Sequence, residues 1–384
     1  MKHGWEIKKV GEVFDLQMGK TPSRDNSEYW GGSNVWVAIS DLQDKYIGNS
    51  KEYITDRALE ETNIRKVKAN TVIMSFKLTV GRAAIATQDL YTNEAIMAFN
   101  LKEGFDLLPN YIYYYLKGYK WEGANKAVMG LTLNKATISQ NYISLPPISE
   151  QEHIVQELDL LSGVIEKKRQ QLKELDNLAQ SIFYDMFGDP VGNDKGWNIV
   201  KFADGCVEIG DGLHGTPNYD VEGTIPFING TNLIDGRIIV TDRTLFVNET
   251  EAMKYRVKMD TNTVLLSING TLGKTAIYQD ENVILGKSAC FCRLKKEYFN
   301  VVFVERLMNT DYFKKFLEEN SSKSTIKNVG LKTIRNYKIV VPSLFLQQEF
   351  AEKIEAIEKQ KELVKQSLAE TETLFNSRME YYFN

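Results

Sequence analysis

At 384 residues the chain has room for two or three domains, and 43% hydrophobic with 26% charged side chains is the make-up of a soluble globular protein. No apolar run approaches the ~18 residues of a membrane span, and the opening MKHGWEIKKV lacks the apolar core of a secretion signal, so a cytoplasmic protein is expected. A net charge of −4, three cysteines without metal-site spacing and only three histidines leave little material for a metal centre or a Ser-His-Asp triad. Of the histidines, His3 is terminal, His153 sits at a helix start, and only His214 lies in a glycine-rich loop.

Residues 1–145 show short β-branched and aromatic runs, such as VWVAIS from Val35 and TVIMSF from Thr71, broken by Gly, Asn and Asp clusters. These predict strands and turns, with a helical stretch around PNYIYYYLKGY. A long helix follows over 146–190. From Ile154 the positions Leu158, Leu161, Ile165, Lys168, Leu172, Leu175, Ala179, Ile182 and Met186 step by alternating fours and threes, an a/d seam. Ser149 and Glu152 have the spacing of a capping box, and Gly188 and Pro190 mark the end. Residues 191–341 again read as strands and turns (GRIIV, TVLLSI), with helical sequence around NVVFVERLMNTDYFKKFLEE. A second long helix over 342–384 carries the seam Phe350, Ile354, Ile357, Lys361, Val364, Leu368, Thr371, Phe375, Arg378 and Tyr382, each 196 residues after its counterpart. Each helix is about 57 Å long. Alone in water such helices would be unstable, so the two seams are expected to pair within the chain.

The halves repeat. Thr71–Ile85 and Thr263–Ile277 share T-V-φ-φ-S-x-x-x-T-φ-G-[RK]-x-A-I at a shift of 192. Trp5 matches Trp197, Thr21-Pro22 matches Thr216-Pro217, and Asn141-Tyr142 matches Asn336-Tyr337. The duplication also explains Gly273-Lys274-Thr275, which imitates the end of a phosphate loop. The first glycine of that motif should stand at Ile268, and the first copy of the turn is Gly81-Arg82, so the tripeptide predicts a repeated turn and no nucleotide site. The expected class is α+β: two tandem globular domains, 1–145 and 191–341, separated by two long helices, 146–190 and 342–384, that form an antiparallel intramolecular coiled coil.

Charge divides along the same lines. Residues 1–145 hold 18 basic against 16 acidic side chains and 191–341 hold 20 against 18, whereas the helices hold 4 against 9 and 5 against 8. Mildly basic globular parts permit nucleic-acid contact without demonstrating it.

Two modules alternating with two helical spacers, the Pro-Pro and Glu-Gln before the first spacer (Pro146-Pro147, Glu150-Gln151-Glu152), and Gln347-Gln348-Glu349 in the second resemble the DNA-specificity subunit of type I restriction–modification systems. The W-x-[IV]-[KV]-x-φ-[GA]-[ED] openings (Trp5 to Glu12, Trp197 to Asp204) and the GKTPS from Gly19 strengthen the match. The resemblance implies that each module is a target-recognition domain reading one half of a bipartite, asymmetric duplex. It also implies that the paired helices set the half-site spacing and dock two methyltransferase subunits, and that two restriction subunits, translocases and nucleases, can join. The chain itself would be non-catalytic. The only Pro-Pro lacks the preceding Asn or Asp of an amino-methyltransferase loop, so S-adenosylmethionine, ATP and Mg²⁺ are expected on partner subunits, with no catalytic or metal residue here.

Basic and amide side chains on the glycine-rich turns are the DNA-contact candidates. They are Lys20, Thr21, Ser23, Arg24, Lys77 and Arg82 in the first module, and His214, Thr216, Asn218, Asn269, Lys274 and Lys287 in the second. Features common to both modules serve shape or the DNA backbone rather than base identity. The competing reading is a duplicated coiled-coil adaptor without DNA readout, which the repeat and the seam support equally.

Overall fold

The computed structural model describes residues 5–123, 125–127 and 130–384, so His3 lies outside the described residues. The chain divides into two compact units, Met1–Arg169 with Gln366–Asn384, and Gln170–Lys365.

In the first unit the main sheet has the order Phe14–Met18, Ile96–Leu101, Val72–Ser75, Ala83–Ala86, Tyr46–Ile47. Alternate residues enter different cores: Val72, Met74, Met97 and Phe99 face the helical side, while Ile73, Ala84, Ala86 and Ala98 face the other. A sheet covered on both faces needs continuous apolar strands, which is why VIMS carries no polar alternation. The second unit repeats this with Cys206–Asp211, Ala289–Leu294, Thr263–Ser267 and Thr275–Ile277. Register is conserved pair by pair: Val72↔Ile85, Ile73↔Ala84 and Met74↔Ala83 become Val264↔Ile277, Leu265↔Ala276 and Leu266↔Thr275.

A three-stranded sheet recurs too, Glu52–Ile54, Trp30–Val37, Tyr91–Thr92 against Leu245–Val247, Ile225–Ile228, Ile284–Leu285. So does a two-stranded ribbon, Glu6–Lys9 with Tyr142–Leu145 and Asn198–Lys201 with Lys338–Val341. The ribbon gives the Trp-led openings a structural meaning: each strand that they begin pairs with the strand leading into a long helix. The fold class is therefore α+β with an internal duplication. Among the described residues the three cysteines are free and buried, and no helix is long and apolar enough to cross a membrane.

The long helices run Ile148–Phe187 and Leu344–Phe383, 40 residues each. The capping box expected at Ser149 and Glu152 does not set the start. Pro147 caps the first helix with its carbonyl, which accepts the N–H groups of Glu150 and Gln151 at 2.9 and 3.0 Å. The second helix begins 196 residues later, its Gln347 N–H held by the Ser343 carbonyl at 3.1 Å. Gln151 and its counterpart 196 residues on, Gln347, are fully buried. The Gln151 amide donates to the carbonyls of Asp106 and Pro146, both at 2.9 Å, and accepts the Leu108 N–H at 2.8 Å. Gln347 repeats all three bonds with Tyr298, Pro342 and Asn300. This side chain stitches the foot of each spacer helix to its module. Gly188, at φ 74°, closes the first helix in the left-handed conformation that glycine adopts cheaply.

All twenty seam positions are buried or half-buried. In the first unit Ile154 and Leu158 share a core with Met379, Tyr382 and Phe383. The Arg378 guanidinium and Tyr382 hydroxyl both reach Glu157, and Lys168 Nζ donates to Ser367 Oγ at 2.6 Å. In the second unit Leu175 and Ala179 pack with Phe350, Ile354 and Ile357. Lys361, only 8% exposed, bridges Asp176 at 2.7 Å and Glu358 at 2.9 Å. Within each unit, later residues of one helix meet earlier residues of the other, which makes the pairing antiparallel. A lysine inside an apolar seam lowers stability but fixes alignment. The heptad pattern misses Phe183 and Phe187, whose rings lie 5.7 and 5.1 Å from Phe350, and Phe187 is 4.7 Å from Phe303.

Glu157 yields a pH prediction. Hydrogen bonding from Arg378, helped by Tyr382, holds its carboxyl below the usual range against the opposing effect of burial. A depressed carboxyl contributes stability above its unfolded value of about 4.3 and loses it as pH falls through the folded value. The stability gap between wild type and Glu157→Gln is expected to be full at pH 7 and to close below about pH 4. Urea midpoints measured across that range check it; a gap independent of pH would contradict it.

Candidate nucleic-acid interface

The repeated turn is held by its serine and its glycine. Ser75 Oγ donates to the Thr79 carbonyl and Ser267 Oγ to the Thr271 carbonyl. The Gly81 and Gly273 N–H groups return to the same serines' carbonyls at 3.1 and 2.9 Å. Both glycines have positive φ, 91° and 80°, which a side chain would strain. After Lys274 the chain enters the strand Thr275–Ile277, whereas a phosphate loop must open a helix. The serine and the glycine thus serve shape, and the basic residue after the glycine, exposed at Arg82 and half-buried at Lys274, is not needed to form the turn.

In the first unit, Arg82 is exposed and has no ion-pair partner among the described residues. Lys20 is committed to the Thr62 carbonyl at the end of a short helix. Arg24 forms a two-bond pair with Glu52 and lies over Trp30 and Trp36, 3.9 and 5.0 Å from their ring centroids. Its guanidinium plane is therefore presented on an aromatic platform. Ser23 is exposed, and its carbonyl holds the Trp30 indole N–H at 3.0 Å. Thr21 donates to Glu94, an acid that no local sequence signal marks. The Glu94 carboxyl sits below the ordinary range, first through that bond and also through the charges of Lys77 and Arg24. Thr21, Arg24, Lys77 and Glu94 thus form one cluster.

In the second unit, His214, Asn269 and Lys287 come together in a cleft of about 380 Å³, with Asp211 holding His214 Nε2 at 2.8 Å. Thr216 and Asn218 are exposed on the loop beyond, where the Asn218 N–H binds Glu251. Lys274 falls elsewhere, half-buried in a cleft of about 670 Å³ that also holds Asp176, Asp235, Glu305 and Lys361. Thr21-Pro22 and Thr216-Pro217 match only across an insertion. Lys20 and Leu213 are equivalent, since their N–H groups bind the carbonyls of Thr92 and Leu285. His214-Gly215 are therefore extra residues of the second unit.

Sequence reasoning missed a basic loop that both units carry before the Val72 and Thr263 strands. Val67 and Val257 turn into the cores while Lys68 and Lys258 are exposed, with Arg65, Lys66 and Arg256 beside them. The signal was present as RKVK and RVK at a shift of 190. Among the described residues no group of three or more His, Cys, Asp and Glu side chains is arranged to hold a metal ion.

A family model for the type I restriction modification DNA specificity domain matches residues 2–177 and 195–373. The type I restriction enzyme MjaIX specificity subunit of Methanocaldococcus jannaschii is 27% identical over 278 residues, covering 66% of this chain and 63% of that protein. The EcoBI specificity subunit of Escherichia coli is 22% identical over 253 residues, covering 59% and 53%. The matched region thus spans between about half and two thirds of these relatives' length. Among solved structures, the type I S subunit from M. genitalium aligns over 100% of this chain and 98% of its own at a TM-score of 0.57 and 15% identity. A structure described as the basis of complex assembly and conformational transition of the type I R-M system aligns over the same shares at 0.62 and 18%. At these identities the likeness is one of fold.

Proposed function

Because this chain belongs to the type I restriction modification DNA specificity family, we propose that it is the non-catalytic, DNA-reading subunit of a restriction–modification complex. The modules 1–145 and 191–341 each read one half of a bipartite, asymmetric duplex. The paired helices fix the gap between the halves and carry two methyltransferase subunits, and two restriction subunits join that core. S-adenosylmethionine, ATP and Mg²⁺ belong to those partners. The observation that carries this reading is a scaffold repeated strand for strand under exposed polar loops that differ, which is what two unlike half-sites require. Because the seam residues are spent on the chain's own cores, methyltransferase docking falls to outward apolar side chains, among them Leu160, Val164 and Leu178 of the first helix and Phe345, Leu363 and Leu374 of the second.

Mapping of methylated adenines in DNA exposed to the chain and its methyltransferase partner tests the proposal. The expected result is one two-part sequence with a constant gap. A complex that binds no duplex in a gel shift would favour the adaptor instead.

Arg82 supplies a second expectation. As an exposed cation on a turn common to both units, it suits a phosphate. Arg82→Ala should weaken all duplexes alike and lower the slope of log K against log[salt] by about 0.9. Lys274→Ala, with acids lining its cleft, should change the slope less. Salt titrations that give equal slopes for wild type and Arg82→Ala would remove Arg82 from the interface.

A further inference from the structure

Two positions are framed identically in the units yet carry opposite charge. On one side of Glu94, the Asn93 N–H binds the Val37 carbonyl at 3.0 Å; the corresponding Gly286 N–H binds the Ile228 carbonyl at 2.8 Å beside Lys287. On the other side, the Ala95 carbonyl accepts the Phe76 N–H at 3.0 Å, and the Ser288 carbonyl accepts the Ile268 N–H at 3.1 Å. Two residues further on, Ile96 pairs with Ser75 and Ala289 with Ser267. Glu94 and Lys287 therefore occupy one place in the fold. Facing them, directly after Phe76 and Ile268, stand Lys77 and Asn269, again equivalent and again different. A third segment closes the frame in both units, the Leu133 N–H on the Phe76 carbonyl at 2.8 Å and the Val329 N–H on the Ile268 carbonyl at 2.9 Å.

Nothing in the core demands these side chains. Both Glu94 and Lys287 are exposed. The Glu94 carboxylate takes the Thr21 hydroxyl and its own backbone N–H, leaving acceptor capacity on the exposed carboxylate, and the Lys287 ammonium has no hydrogen-bond partner among the described residues. A carboxylate beside DNA meets phosphate repulsion, which the neighbouring Lys77 and Arg24 offset. It gains something in return only where it accepts a proton donor.

Resting on the DNA-reading function proposed above, the geometry assigns Glu94 and Lys287 as the paired specificity determinants of the two modules, each reading a base edge in the major groove. An ionised carboxylate only accepts hydrogen bonds, so Glu94 selects a base presenting an amino group, cytosine N4 or adenine N6. An ammonium only donates, so Lys287 selects a base presenting acceptors, foremost guanine O6 and N7. Lys77 and Asn269 hold the facing wall, and His214, present only in the second unit, adds a contact there.

The test maps methylated sequences made by the full chain with its methyltransferase partner, comparing wild type with Glu94→Gln, Glu94→Asp and Lys287→Met. Glu94→Gln, which adds donors, is expected to relax one base position of one half-site by about tenfold or more, leaving the other half-site intact. Glu94→Asp keeps acceptor-only chemistry and should keep the original base. Lys287→Met should relax one position of the opposite half-site and no other. Unchanged base preferences in both Glu94→Gln and Lys287→Met, beside a normal wild-type pattern, would overturn this assignment alone. Uniform loss across both half-sites would do the same, since that is how a general electrostatic contact behaves. A wild-type complex that marks no defined sequence would overturn the DNA-reading function and this assignment with it.

Discussion

Replacing Gln151 with alanine is expected to cost the first unit about 3 kcal/mol, more than an exposed substitution on the same helix. The side chain is fully buried and satisfies two carbonyls and one N–H in buried or part-buried surroundings. Removing it leaves the Asp106 and Pro146 carbonyls and the Leu108 N–H without that partner, and each orphaned buried group costs about 1–3 kcal/mol before relaxation. For a body of this size the loss corresponds to a fall in melting temperature of about 6–12 °C. Gln347→Ala should do the same to the second unit, because its three bonds are copies of the first set. The neighbouring Gln348 bonds only exposed groups on Asn300 and Glu352, so Gln348→Ala should shift stability by no more than about 0.5 kcal/mol. Calorimetry on the three variants checks this. A Gln151→Ala protein that melts with wild type would show that the buried amide does not anchor the helix.

A matched insertion of seven residues in each long helix, after Arg169 and after Lys365, is expected to lengthen the gap between half-sites by about three base pairs while leaving the bases of each half unchanged. These are the points where the chain passes from one compact unit to the other, so neither unit loses its own contacts. Seven residues add about 10 Å at 1.5 Å each, close to three base pairs at 3.4 Å. A heptad keeps the seam in phase but turns a straight helix by only about 20°. Three base pairs of a 10.5-pair turn rotate by about 100°, so the longer target should be bound more weakly, the DNA absorbing the difference as twist. An insertion in the first helix alone should instead break assembly, because Glu157 with Arg378, or Asp176 with Lys361, must then lose its partner. Methylation mapping reads all three outcomes. Altered half-site bases with an unchanged gap would refute the ruler.

The duplication, the strand-turn-strand unit from Thr71 to Ile85 and the two seams were legible in the amino-acid sequence, because each is a pattern of spacing along the chain. A strand buried on both faces must be apolar throughout, and a helix pressed along one stripe must repeat every three or four residues, so neither needs a distant partner to be recognised. The mimicry by Gly273-Lys274-Thr275 was resolved in the same way, by comparison with Gly81-Arg82.

What only the tertiary structure decided depends on separations that sequence does not encode. Gln151 reads as one more polar residue at a helix start until the chain brings Asp106 and Leu108 to it, and the start itself moves from Ser149 to Ile148 because Pro147 supplies the capping carbonyl. Phe183 and Phe187 lie off the seam and matter because Phe303 and Phe350 fold around them. Lys20 carries the right charge but is occupied by Thr62, while Glu94 carries the wrong one and stands in the cluster through Thr21, 73 residues away. Local periodicity determined the elements and their repetition. Which charges are spent inside the fold and which are left to meet a partner followed only from packing, since a side chain's chemistry is set by the neighbours that satisfy it.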